Sequence, residues 1–270
     1  MLSINSSSNP AIKELIRLRK AGERREKNMI LVDGRREIEL GLQAGLKITD
    51  IFYCPDLDQS AGDLGSLSGR TGLKISEVSE AVFRKICYKE NPDGFLAVAQ
   101  RPQTALPRLK TSSGDLLVVI LEKVEKPGNL GAIIRSAYAA GVDHIIINEA
   151  QTDIYNPNVI RASEGYIFKL PPMEASSDDT IRWLEDNKIR SYGAATSAKK
   201  EYVEADLRGR CAIVLGSEAD GLSKKWLKSA DELIRIPMRG DIDSLNVSVS
   251  AAIIIFESLR QRHLSQKKQI

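Results

Sequence analysis

Histidine and cysteine are scarce in this chain, with two of the first and three of the second among 270 residues. Cys54, Cys87 and Cys211 lie far apart and form no Cys-x-x-Cys. That spacing argues against a disulfide framework and against a structural zinc site, and leaves the thiols as small core residues. His144 opens an apolar run, His263 sits in a polar tail, and neither has a ligand-like partner nearby in sequence. Histidine catalysis and metal binding are therefore not expected. No apolar run reaches the roughly 18–20 residues that a membrane span requires, so no membrane association is expected. The first residues, Met1-Leu2-Ser3-Ile4-Asn5-Ser6, lack a basic segment followed by an apolar core, and cytoplasmic residence is the expectation. Neither a G-x-G-x-x-G fingerprint nor a Gly-Lys-Ser/Thr P-loop occurs, which disfavours a nucleotide-dependent oxidoreductase and a P-loop enzyme.

Net charge is only +3, but its distribution is uneven. Between Lys13 and Arg36 nine basic residues face four acidic ones. Such a stretch can neutralise RNA phosphates or can be a solvated helix face. Arg17, Lys20, Arg24, Arg25 and Arg35, with Arg161 further along, are the candidate RNA contacts.

The chain reads as α/β in two parts. Residues 1–101 alternate short elements: a helix after Asn9-Pro10, strands at Met29–Val32, Ile48–Tyr53, Lys74–Val78 and Phe95–Gln100, and helices at Glu37–Ala44 and Glu80–Cys87. Residues 102–114 hold two prolines and the cluster Thr111-Ser112-Ser113-Gly114, and read as a linker. From residue 115 to 270, apolar strands at Leu116–Leu121, His144–Asn148, Ile167–Leu170, Ile189–Ala194, Cys211–Leu215 and Leu233–Ile236 alternate with helices. The helices are expected at Leu130–Ala140, Asp178–Asn187, Ser223–Ser229 and from Leu245 to about His263. Continuous apolar strands separated by helices predict a mainly parallel sheet covered on both faces.

Ligands of such sheets bind at the carboxyl ends of the strands. Three loops there are chemically unusual. The first runs Lys126-Pro127-Gly128-Asn129-Leu130-Gly131 and leads to Arg135, which falls off the apolar stripe of its helix; Asn129 is placed to cap that helix. The second, after Leu215, is Gly216-Ser217-Glu218-Ala219-Asp220-Gly221-Leu222. The third is Ile236-Pro237-Met238 followed by Ser244-Leu245-Asn246-Val247-Ser248, with Ser244 as an N-cap and an unusual density of polar residues in an otherwise apolar helix. Each alone has a plain structural reading.

Taken in order, the three resemble the motifs of the SpoU (TrmH-like) branch of the SPOUT methyltransferases, over roughly residues 115–262. In look they are closest to the thiostrepton-resistance type of ribosomal RNA enzyme. Arg161-Ala162-Ser163-Glu164-Gly165-Tyr166 is similar to the family's Ser-x-Gly element. Two positions depart from the usual pattern: Lys126 stands where Asp is common, and Asp243 where Glu is.

The resemblance implies a deep trefoil knot in the C-terminal domain and S-adenosyl-L-methionine as cofactor, held around Leu215, Gly216, Gly221, Ile236, Met238 and Leu245. It implies transfer to a ribose 2′-hydroxyl of RNA, 23S ribosomal RNA in preference to transfer RNA. Arg135 would act at the target, positioned with the ribose and cofactor by Asn129, Glu218, Ser244 and Asn246, and the enzyme would be a homodimer. The N-terminal part resembles the ribosomal-protein-like RNA-binding domain of some members, on size, strand order and Gly34. A non-catalytic RNA-binding or assembly protein that keeps the fold is the alternative.

Overall fold

A computed structural model describes residues 2–58, 73–109 and 114–267; of the expected linker, residues 110–113 lie outside these. The chain divides into two compact units, one of Met1–Gln103 with Tyr155–Lys169, the other of Thr104–Ile154 with Leu170–Ile270. Among the described residues no helix is long and apolar enough to cross a membrane.

In the first unit, strands β1 (Leu2–Ile4), β2 (Met29–Asp33), β3 (Ile48–Tyr53), β4 (Lys74–Val78) and β5 (Phe95–Gln100) form one sheet in the order β1-β4-β3-β5-β2. β4 runs parallel to β1 and β3, whereas β5 is antiparallel to β3 and β2. Helix α1 (Pro10–Leu18) starts at Asn9, whose side chain accepts from Ala11 N at 2.9 Å, with Pro10 at its first position. Ile12, Leu15 and Leu18 recur at helical spacing and are buried with Val82, Phe83 and Ile86 of α4 (Glu80–Ile86). The basic stretch contains a second helix, α2 (Ala21–Lys27), which ends at Asn28 in the left-handed conformation (φ +53°). α3 (Arg35–Gln43) follows β2.

Tyr155–Lys169 contributes α6 (Pro157–Ala162), capped by Asn156, and a 3₁₀ turn at Tyr166–Phe168. The strand expected at Ile167–Leu170 is not there. Gly165 takes φ +80° and accepts from Phe168 N at 3.1 Å, which curls the chain, and Pro171-Pro172 could not feed a ladder. The strand begins six residues later than expected, as β8 (Met173–Ala175).

The second unit carries a seven-stranded sheet in which every pairing is parallel. Its other strands are β6 (Leu116–Glu122), β7 (His144–Asn148), β9 (Arg190–Ala194), β10 (Lys200–Glu201), β11 (Arg210–Leu215) and β12 (Glu232–Arg235), in the order β10-β12-β9-β11-β6-β7-β8. β6 is buried along its whole length, as a central parallel strand covered on both faces must be. The helices are α5 (Pro127–Ala139), α7 (Ser177–Asp186), α8 (Lys224–Ser229) and α9 (Val247–Lys267). From β6 the chain moves out to β7 and β8, then returns on the other side as β9 and β11. The reversal between β6 and β11 opens a crevice at the carboxyl ends of the strands.

Candidate functional site

The loop after β11 is set by backbone sterics. Ser217 and Gly221 exchange two main-chain hydrogen bonds of 3.1 Å, closing a tight acidic turn, and Ser217 Oγ accepts from Asp220 N at 3.0 Å. Gly221 sits at φ +68°, and a Cβ on Gly216 would lie 2.0 Å from the Gly221 carbonyl carbon. No side chain fits at position 216 while that turn is closed. Ser223 then caps α8, and its own N–H donates to Glu122 Oε2 at 2.8 Å. Glu122 is buried at the end of the central strand, so its carboxylate ties the first loop to the second.

The three loops meet through side chains. Asn129 donates from Nδ2 to Glu218 Oε1 at 2.7 Å and accepts on Oδ1 from Asn246 Nδ2 at 3.1 Å. Asn246 Oδ1 in turn accepts from Ser248 N at 2.9 Å and Ser248 Oγ at 2.6 Å. Two expected caps are thereby reassigned. α5 begins at Pro127 after an N-cap at Lys126, which leaves Asn129 inside the first turn with its amide turned to the neighbouring loops. α9 begins at Val247 and is capped by Asn246, while Ser244 stays in the preceding loop.

A cavity of about 560 Å³ opens where these loops converge. Its wall includes all six residues expected to hold a cofactor, Leu215, Gly216, Gly221, Ile236, Met238 and Leu245, together with Glu218, Ser244 and Asn246. Arg135 is not on that wall; it lies on the exposed face of α5. Sequence reasoning missed Thr196 and Ser197 after β9, Lys126 as a wall residue, and Glu122. Only Glu122 left a signal, a carboxylate closing an otherwise wholly apolar strand. Among the described residues no group of three or more His, Cys, Asp or Glu is placed to hold a metal ion.

The expected RNA-facing residues of the first unit separate. Arg17, Lys20, Arg25 and Arg161 are exposed. Arg35 is half-buried, with Nε 2.9 Å from Glu39 Oε1 and its guanidinium over the Phe95 ring. Arg24 does not belong with them. It is 1% exposed, and its Nη1 donates to Leu18 O at 2.9 Å and Arg19 O at 2.7 Å. Those carbonyls end α1 and have no partner inside the helix, so Arg24 satisfies them instead of facing solvent.

Residues 116–256 match the SpoU rRNA methylase family. The chain belongs to the SpoU rRNA methylase family. Residues 9–97 of this SpoU protein match the MRM3-like substrate binding domain. It is 30% identical over 97% of its length to the 23S rRNA (adenosine(1067)-2′-O)-methyltransferase of Streptomyces laurentii, covering 96% of that protein. To the 23S rRNA (guanosine(2553)-2′-O)-methyltransferase of Bacillus subtilis it is 27% identical over 95% of its length and 98% of the relative's. Its fold is similar to the crystal structure of an AdoMet-bound rRNA methyltransferase from Sinorhizobium meliloti, with a TM-score of 0.85 and 30% identity over 96% of this chain and 97% of that one.

Proposed function

We propose that this SpoU protein transfers a methyl group from S-adenosylmethionine to a ribose 2′-hydroxyl of 23S ribosomal RNA. The observation that carries the reading is the convergence of the three motif loops on one cavity, joined through Glu218, Asn129 and Asn246. The cavity's 560 Å³ falls within the roughly 300–1,000 Å³ of small-molecule sites. The glycine backbone at 216 and 221 lets a ligand approach the main chain closely.

Leu215, Gly216, Gly221, Ile236, Met238 and Leu245 hold the cofactor, which supplies a methyl group already activated on a sulfonium. What the chain must add is alignment of the hydroxyl and removal of its proton. Asn129, Glu218, Ser244 and Asn246 position the ribose and the cofactor. Arg135 orients the hydroxyl; a guanidinium is a poor base, so a target phosphate assists in taking the proton. In the first unit Arg17, Lys20, Arg25, Arg35 and Arg161 meet RNA phosphates. The protein works as a homodimer in the cytoplasm, with the family's trefoil knot in its second unit. Tyr138 on α5 and Val249 and Phe256 on α9, each 42–46% exposed, supply apolar area for pairing.

The test is transfer of label from methyl-labelled S-adenosylmethionine to unmodified total ribosomal and transfer RNA, with the label mapped to base or ribose. Label on a 2′-oxygen of 23S RNA is the expected result. Cofactor binding with no label on any RNA would support the non-catalytic assembly role, and label on transfer RNA alone would move the substrate.

A further inference from the structure

The cavity wall carries two cations, Arg235 and Lys126, and three carboxylates, Glu218, Asp220 and Asp243. Arg235 is half-buried on β12, with Nη2 3.9 Å from Glu201 Oε1. Lys126 is exposed, and its ammonium has no hydrogen-bond or ion-pair partner among the described residues. A ribose presented at this cavity brings a phosphate with it, because the 2′-hydroxyl and the 3′-phosphate stand on adjacent ring carbons. A phosphate approaching a wall with three carboxylates is repelled unless a cation offsets them. Arg135 is off the wall of its own chain, so Lys126 is the unengaged cation there among the described residues.

We infer that Lys126 is a substrate-positioning residue whose ammonium takes a backbone phosphate of the RNA beside the methylated ribose, an inference that rests on the methyltransferase reading above. Its place at the rim, before the first turn of the helix that carries Asn129, couples phosphate capture to the loop that orders the site. The ammonium itself touches neither the hydroxyl nor the cofactor, so its loss raises the RNA requirement more than it slows the chemical step.

The experiment uses the full chain, unmodified 23S RNA and three variants. Equilibrium RNA binding is followed across a salt series, cofactor binding by calorimetry, and methyl transfer at steady state. For Lys126→Ala the RNA affinity and KM worsen about tenfold at 0.1 M salt, and the slope of log K against log salt becomes shallower by about 1. The kcat falls by less than KM rises, the cofactor Kd stays within about twofold, Lys126→Arg restores both RNA terms, and Lys126→Asp loses more than alanine. An unchanged salt slope and KM would overturn the proposal. So would a cofactor Kd that rises in step, which would put the ammonium on the cofactor's carboxylate instead. Failure of the wild-type chain to label any ribose would defeat the proposed function, while the salt slope would still decide the role of Lys126.

Discussion

Both units bury ionic groups among their described residues, but in different company. In the first they gather beside one another. Lys89 Nζ lies 3.3 Å from Glu37 Oε2 and 3.4 Å from Asp93 Oδ2, and Asp33 Oδ2 accepts from the backbone N–H of Tyr88 and Lys89. Burial pushes the Asp33 and Glu37 carboxyls above their ordinary range, and burial pulling on Lys89 is outweighed by Asp93, Glu37 and Asp33, which hold its ammonium up. In the second unit the sheet interior around Val118, Ile120, Ile146 and Val214 is apolar, and the polar groups that matter gather in loops at the strand ends. A run of charge in sequence therefore says little about which side chains face solvent, whereas the order of short motifs after successive strands says a great deal about what meets.

Six substitutions would break or sharpen that contrast. The largest effect is expected from Arg135→Ala, which should keep cofactor binding yet lower methyl transfer by about 10²–10³-fold, measured as single-turnover label transfer. Retained transfer would remove Arg135 from the reaction. Gly216→Ala should weaken cofactor binding by about 100-fold in calorimetry, roughly 3 kcal/mol, because the added methyl collides with the Gly221 carbonyl. Within the first unit, Arg24→Ala should cost about 2–3 kcal/mol in urea unfolding followed by circular dichroism and leave the salt dependence of RNA binding unchanged. Arg17→Ala and Arg25→Ala should do the reverse, each flattening the salt slope by about 1 with little loss of stability. A salt effect from Arg24 as large as theirs would return it to the RNA surface.

The smallest effect concerns His144, at the start of β7 and edge-on to Trp183, whose pKa is lowered by burial. A histidine with a depressed folded pKa stabilises the neutral side of its titration, so its contribution is present above the unfolded value of about 6.5 and is lost as pH falls below it. The urea midpoint of the second unit should drop between pH 7.5 and 5, and drop less in His144→Gln. Both tryptophans, Trp183 and Trp226, lie in the second unit, so their fluorescence reports on it alone. Equal pH dependence in the variant would assign the titration elsewhere.

Five strands of the second unit were legible from apolar runs between loop signals, with Leu116–Leu121 short by one residue, Glu122; β8 was expected six residues too early, and the two-residue β10, Lys200–Glu201, carries no apolar signal. Several elements were not legible. α2, with the sequence Ala-Gly-Glu-Arg-Arg-Glu-Lys, has no apolar stripe, and α6 has six residues, too few for a period to show. Of the site, the loops and their order could be read, and the cavity wall holds every residue expected for the cofactor. The caps could not, since Asn129 and Ser244 have cap chemistry and only the point where each helix starts decides whether it is used. Arg24 was misread for a similar reason: its partners are main-chain carbonyls, which leave no mark in a sequence.

The chain of side chains from Glu218 through Asn129 to Asn246 has a direction. An ionised carboxylate can only accept, so Asn129 must present its amide nitrogen to Glu218 and its oxygen to Asn246. Asn246 must then give its nitrogen and keep its oxygen for Ser248 N, which starts α9 in its register. One acceptor-only group thus sets the polarity of two amides and the first turn of a helix, at positions 218, 129 and 246 of the chain. Replacing that acid by an amide would keep its shape but leave the arrow anchored at one end only, by the donor-only N–H of Ser248.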